Sequence, residues 1–341
     1  MANNTTAEKG SRPLLASIIL IGGLALLLLT MALSILYGAA DLQFSTIWQS
    51  IYQFDPSSTS HQIVRNLRIP RVLAAALIGA ALAMSGAIMQ GMTRNPLASP
   101  SIMGVTSGAS FMIAVALAVI PGSSSFALML WAFAGAGLGT GIVFAVGSIS
   151  KTGLTPVKLA LAGTAVTAML NSLSSGISIH FNIAKDMSFW YAGGVSSVQW
   201  VHVKLLAPIV IIGIILAILL AHSITVLNLG EDVARGLGQR TAFIKLAGTI
   251  VVLLLTGVAV SVAGTIGFIG LVIPHITRFL VGINYRWIIP CSAILGAILL
   301  VVADTVSRMI NPPFETPVGT VTALIGVPFF LYLARREGRT L

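Results

Sequence analysis

From Leu14 the chain runs for about two dozen residues without a charge, and stretches of this kind recur almost to its end. A run that long crosses the ~30 Å hydrocarbon layer as a helix. Ten such segments can be marked, at 14–37, 70–91, 99–120, 126–149, 155–180, 203–227, 242–263, 265–283, 286–309 and 317–335. The eighth is short and carries Pro274. Only 8% of the residues are charged and 56% are hydrophobic, whereas a soluble domain carries roughly a quarter charged. Too few charges remain to coat a water-exposed surface. The expected fold is therefore all-α, a polytopic membrane protein with about ten transmembrane helices. Residues 1–13 read as a polar tail and 14–341 as one membrane domain. The first apolar run is too long for a signal-peptide core, and no small-residue cleavage site follows it.

Ten spans put both termini on one side. If that side is cytoplasmic, the inner loops hold 13 of the 19 basic residues and the outer ones keep Arg65, Arg68, Arg71, Lys185, Lys204 and Arg308. The positive-inside bias favours cytoplasmic termini. It also accounts for the net charge of +10 without nucleic acid, because the basic residues form no stripe with interleaved aromatics. Cys291, the sole cysteine, reads as a small buried hydrophobe. Five scattered histidines, including His275, suggest no metal site.

The chain echoes itself. Gly79, Gly86 and Pro96 match Gly257, Gly264 and Pro274 at an offset of 178 residues, and Thr-Pro-Val occurs at 155–157 and 316–318. Five spans separate equivalent positions, so the two halves, about 65–180 and 242–335, are expected to have inverted topology, as in many transporters. Gly135/Gly139 and Gly137/Gly141 have the spacing of close helix packing, within or between subunits. Met84, Met89, Met92, Met103 and Met112 either line a path or, as flexible apolar side chains more often do, fill the core.

An energy source is harder to find. There is no Gly-x-x-x-x-Gly-Lys-Ser/Thr phosphate loop, and the carboxylates fall in loops or tails except Asp304, which has Arg308 four residues on. A conduit powered by another subunit fits better than a self-sufficient symporter, whose carboxylates would lie inside the membrane. An ion-coupled secondary carrier and a non-transporting scaffold are the rival readings. In the predicted cytoplasmic loop, about 228–241, Glu231 to Leu237 reads as a short amphipathic helix: acids at its start, Val233 and Leu237 on one face, Gly238 at its stop. So short a helix needs something to pack against, and Gly236 leaves room for close approach. It either lies on its own membrane domain or docks a cytoplasmic motor. On the other side, Arg65, Arg68 and Arg71 cluster against the positive-inside trend with Arg308 near by, which suggests an acidic partner. The segment "TRNPLASP" (93–100) is either a plain turn or a gate.

Four separated motifs carry a resemblance: "LRIPRVLAAALIGAALAMSGAIMQGMTRNPLASPSIMGVTSGA", "GEDVARGLG", "GTIGFIGLVIPHITR" and "DTVSRMINPPFETPVGTVTALIGVPFFLYL". From about Ile63 onward the chain resembles the permeases of type II ABC importers for iron–siderophores, haem and cobalamin. The resemblance implies a transport subunit in a bacterial cytoplasmic membrane and not an enzyme. It implies a second permease subunit, same or related, ATPase subunits that bind the ATP and Mg, and an extracytoplasmic substrate-binding protein; this chain would bind no cofactor of its own. By the same resemblance, Glu231, Asp232, Val233, Ala234, Arg235, Gly236, Leu237 and Gly238 are the ATPase-coupling helix. Arg68, Arg71 and Arg308 would dock the binding protein, and Asn95 and Pro96 would form a gate or a second ATPase contact. The expected cargo is a ferric siderophore, with haem or cobalamin as alternatives.

Overall fold

Each predicted span is matched by one helix. The computed structural model describes residues 11–38, 43–148, 156–312 and 314–337; the first ten residues of the N-terminal tail, Asp41, Lys151 and the Thr155 of the first Thr-Pro-Val lie outside them. The elements are α1 Pro13–Leu36, α2 Phe44–Tyr52, α3 Thr59–Gln62, a π-helical turn Ile63–Arg68, α4 Ile69–Thr93, a 3-10 turn Pro100–Met103, α5 Val105–Val119, α6 Ser125–Ser148, α7 Pro156–His180 and α8 Ala184–Ala192. There follow α9 Trp200–Asn228, α10 Glu231–Gly236, α11 Thr241–Ala263, α12 Ile269–Val281, α13 Tyr285–Met309 and α14 Val318–Glu337.

Six of the described helices are long and apolar enough to cross a membrane by themselves. One is a continuous 35-residue helix, Thr59–Thr93, so the helix that carries the second span starts well before residue 70. Pro70 cannot donate to the carbonyl a turn earlier, and the helix widens into its π turn just ahead of that ring. Helices α5 and α12 are shorter, 15 and 13 residues. Each is preceded by irregular backbone: the 3-10 turn and Gly104 before α5, residues 264–268 before α12. Non-helical backbone at membrane depth survives where protein covers it or a cavity adjoins it. Here both breaks border one cavity of about 130 Å³, lined by Ser99, Ser101, Thr106, Thr256 and Thr265 among others.

The core is built on α4, which packs against α9, α11, α12 and α13. Its close crossings come from glycine. A side chain at Gly79 would overlap the Gly296 carbonyl on α13, and one at Gly86 would overlap Gly270 on α12. Packing repeats between the halves. Helix α4 packs on α13 as α11 packs on α6, α5 on α6 as α12 on α13, and α5 on α7 as α12 on α14, while α4 and α11 touch directly. Exchanging α4–α7 with α11–α14 thus preserves the packing pairs among these eight helices, whereas α1 and α9 pack on α13 without an equivalent on α6. The register differs from the 178-residue offset. Gly86 lies mid-helix, whereas Gly264 ends α11 at φ +65°, and the starts of α6 and α13 (Ser125 and Tyr285) are 160 residues apart. Of the α6 glycines, Gly135 and Gly139 face α5 within the chain, while Gly137 and Gly141 face open space. Met84, Met89, Met92 and Met103 are core.

Contacts at the helix ends agree with the alternation of ten spans. The Arg12 N–H donates to the carbonyl of Val281 at the end of α12, and Thr225 near the end of α9 bonds the Tyr285 N–H at the start of α13. At the opposite end Thr265 donates to the Tyr191 carbonyl and Trp200 to that of Arg65. The first set lies at the α10 end, the second at what is here called the arginine end.

Candidate functional site

Helix α10 is one and a half turns long, and its neighbours hold it from one side. Gly230, at φ +138°, turns the chain out of α9, and Gly238, at φ +80°, ends the element. Glu231 is its anchor. One carboxylate oxygen accepts from Lys245 Nζ at 2.6 Å; the other accepts from Arg235 at 2.7 Å and from Thr241 Oγ1 at 3.3 Å. Lys245 and Thr241 belong to α11, so Glu231 ties the start of α10 to the start of the next span. The hydrogen bond from Lys245 holds the Glu231 carboxyl below its usual range, helped by both cations and opposed by partial burial. Ala234 is fully buried beneath the helix.

The outward side of α10 is uncovered. Val233 is 49% exposed and Leu237 67%, Asp232 and Arg235 are exposed, and a side chain at Gly236 would meet nothing within 4 Å. Leu229 and Phe243 add exposed apolar surface on either side. The room that Gly236 leaves therefore faces away from this chain. Beside α10 lies the turn after α4. Arg94 caps α4 in the left-handed conformation at φ 53°, and its Nη1 comes within 3.7 Å of where a Gly230 Cβ would be. Asn95 is exposed, its Oδ1 accepts the Leu97 N–H at 2.9 Å, and Pro96 is half-buried. Locally this is a self-bonded turn. Its position next to α10 is what the sequence did not show.

The arginine end is organised the other way. Arg68, Arg71 and Arg308, the docking positions implied by the resemblance, are all buried and bonded inside the chain. Arg71 grips Asp304 through Nε and Nη2 at 2.8–3.1 Å and reaches Glu315 with Nη1 at 2.7 Å. Arg308 pairs with Asp304 at 3.2 Å and donates to Ser34 Oγ at 2.6 Å and to the Tyr37 carbonyl at 3.3 Å. Arg68 donates to the carbonyls of Ile35 and Leu36 at 2.6 and 2.9 Å. Arg68 and Arg308 thus cap the C-terminus of α1, where unsatisfied carbonyls and the helix dipole favour a cation. Both guanidinium groups press on Gly38, where a Cβ would sit 3.1 Å from Arg68 and 3.3 Å from Arg308. The i,i+4 pairing of Asp304 with Arg308 is as the sequence suggests; the burial of both and the long-range hold of Arg71 are not. Buried charge needs partners, and these three guanidinium groups find theirs within the chain. Arg65 is the exposed member of the cluster, its guanidinium 4.5 Å over the Phe54 ring.

A further surface has no counterpart in the sequence reading. Helix α7 exposes Thr164, Asn171, Ser172 and Ser175 near the middle of a 25-residue span. Polar groups at that depth are costly against lipid and usually face water or another protein. The Asn-Ser and Ser-Ser pairs inside an apolar run were the available signal.

The profile of the FecCD transport family matches residues 26–336. The chain belongs to the FecCD transport family. Among its FecCD relatives, the iron(3+)-hydroxamate import system permease protein FhuB of Bacillus subtilis is 61% identical over 97% of this chain and 86% of the relative. The ferric enterobactin transport system permease protein FepD of Escherichia coli is 39% identical over 97% and 98%. A solved metal-chelate type ABC transporter in an inward-facing conformation superposes with a TM-score of 0.83 at 29% identity, covering 94% of this chain and 99% of that one. This FecCD chain is accordingly a multi-pass membrane permease, a transport component and not an enzyme.

Proposed function

We propose that this chain is the permease subunit of an ATP-driven importer for a ferric siderophore, with α10 as the element through which an ATPase subunit moves it. The observation that carries this is the uncovered side of α10: two exposed apolar side chains and a glycine facing open space, on a short helix whose other side is pinned by Glu231. Exposed Asn95 and the half-buried Pro96 widen that surface as a second contact. Positive-inside counting supports a cytoplasmic location for this end and both termini. The 61% identity to a ferric-hydroxamate permease supports a hydroxamate-type iron chelate as cargo, ahead of haem or cobalamin.

The polar side of α7 supports a path formed together with a second permease subunit, which would cover Asn171 and Ser175 from lipid. An extracytoplasmic binding protein would meet the arginine end. Because Arg68, Arg71 and Arg308 are engaged internally, an incoming carboxylate reaches Arg71 by exchanging with Glu315, whose side chain is 37% exposed while Asp304 is fully buried. The chain needs no ATP or Mg of its own; those belong to the ATPase.

Reconstitution in nanodiscs with the ATPase and the binding protein tests the proposal. ATP turnover that rises with iron-loaded binding protein is the expected result. Turnover indifferent to the loaded binding protein, or uptake that persists without the ATPase and collapses with an ion gradient, overturns it.

A further inference from the structure

We propose that α2 is an interfacial anchor whose aromatic side lies in the phospholipid headgroup region at the arginine end. The helix shows the reverse of soluble amphipathicity. Phe44, Trp48, Ile51 and Tyr52, spaced i, i+4, i+7 and i+8 on one side, are 70%, 57%, 52% and 68% exposed. The residue buried against the protein is Ser50, whose hydroxyl donates to the Ile47 carbonyl. The nine residues carry no charge. Trp48 and Tyr52 stack at 4.6 Å between centroids and present one continuous aromatic surface.

Position decides what covers that surface. Only Ala16 and Ser34 of α1 are buried, so α1 runs along the lipid-facing rim of the molecule. It is 24 residues long, about 36 Å at 1.5 Å per residue. Its end, where Arg68 and Arg308 bond the carbonyls of residues 34–37, therefore reaches the boundary of a ~30 Å hydrocarbon layer. Helix α2 begins seven residues beyond Tyr37 and packs on α1, α3 and the π turn, at the level of that boundary. Tryptophan and tyrosine favour this zone because their rings are apolar and their N–H and O–H groups reach water. An uncharged helix held there by aromatic burial differs from a basic amphipathic helix held by anionic lipid. Arg65, exposed on the adjoining turn and stacked on Phe54, is placed to meet a lipid phosphate. The anchor would steady the corner at which the ends of α1 and α4 share the arginine cluster.

The test uses the full chain in phosphatidylcholine nanodiscs, with Trp131, Trp190, Trp200 and Trp287 replaced by phenylalanine so that Trp48 alone emits. Nitroxide probes on the lipid headgroup or at the end of the acyl chain, and aqueous iodide, serve as quenchers. The expected result is blue-shifted emission quenched about twofold more by the headgroup probe than by the chain-end probe, consistent with burial at the headgroup–acyl boundary, with little quenching by iodide. Emission quenched by iodide and indifferent to lipid probes overturns the proposal. So does iodide quenching relieved only when the binding protein is added, which would make the surface a protein-docking one. If the fourfold variant fails to fold, the difference in lipid quenching between the unmodified chain and Trp48→Phe reads the same quantity: a difference supports the anchor and none refutes it.

Discussion

The two ends of this permease handle charge and apolar surface in opposite ways. At the arginine end, three guanidinium groups and Asp304 are drawn into the protein, with Glu315 at its edge, and they satisfy one another and the last carbonyls of α1. At the α10 end, charged groups stay near the surface, and apolar side chains of a short helix stand uncovered. The first arrangement is complete within one chain. The second leaves apolar surface for something outside the chain to cover, an ATPase subunit in the function proposed above. Arg68, Arg71 and Arg308 are bonded inside the chain, whereas Leu237 and Gly236 face away from it.

The comparison breaks most readily at Asp304. Asp304→Asn leaves Arg71 and Arg308 buried without their shared counter-charge and should cost about 3–5 kcal/mol. Cys291 is the sole cysteine and fully buried, so thiol-dye labelling during heating reports the loss directly. An unchanged midpoint would mean that the network is ornamental. Glycine substitution sharpens the contrast. Gly86→Ala forces a methyl into the Gly270 backbone and should destabilise by about 1–3 kcal/mol. Gly236→Ala meets no atom within this chain, so its stability should hold or rise by a few tenths to ~1 kcal/mol, while ATPase association weakens because the added methyl occupies a partner's space. Leu237→Ser should move stability by less than about 0.5 kcal/mol and yet lower transport and ATPase co-purification.

The smallest effect concerns Glu231. Its carboxyl titrates below the usual value, so the tie to Lys245 contributes fully above about pH 4.5 and is lost as pH falls through the lowered folded-state value. Glu231→Gln should flatten that acid limb of a pH–stability profile by slightly lowering stability at neutral pH, with the two proteins converging once the native carboxyl is protonated. An acid limb identical in both proteins would remove Glu231 as its source.

Much of the architecture was legible in the sequence because apolar runs of span length report helices directly. The ten segments, the inverted halves, the stop at Gly238 and the acids at the start of α10 all follow from residue chemistry and spacing. The register of the repeat did not, since Gly86 and Gly264 share a letter but serve a helix crossing and a helix end. The fate of the arginines was equally hidden. Arg71 is 233 residues from Asp304 and 244 from Glu315, and no local pattern encodes so distant a partner. Burial of Asp304 was obscured by its place near a span end, where solvent is the default expectation. The polar side of α7 was visible in principle at Asn171–Ser172 and Ser174–Ser175, but which of these point outward depends on packing against α5 and α6.

The most direct test of the central contrast uses a single-cysteine Leu237→Cys chain, in which native Cys291 is replaced by alanine, in nanodiscs with a membrane-impermeant maleimide. The account predicts rapid labelling of the permease alone and strong protection once the ATPase subunits are bound. Equal labelling rates with and without bound ATPase would show that the open side of α10 is not a docking surface and would contradict it.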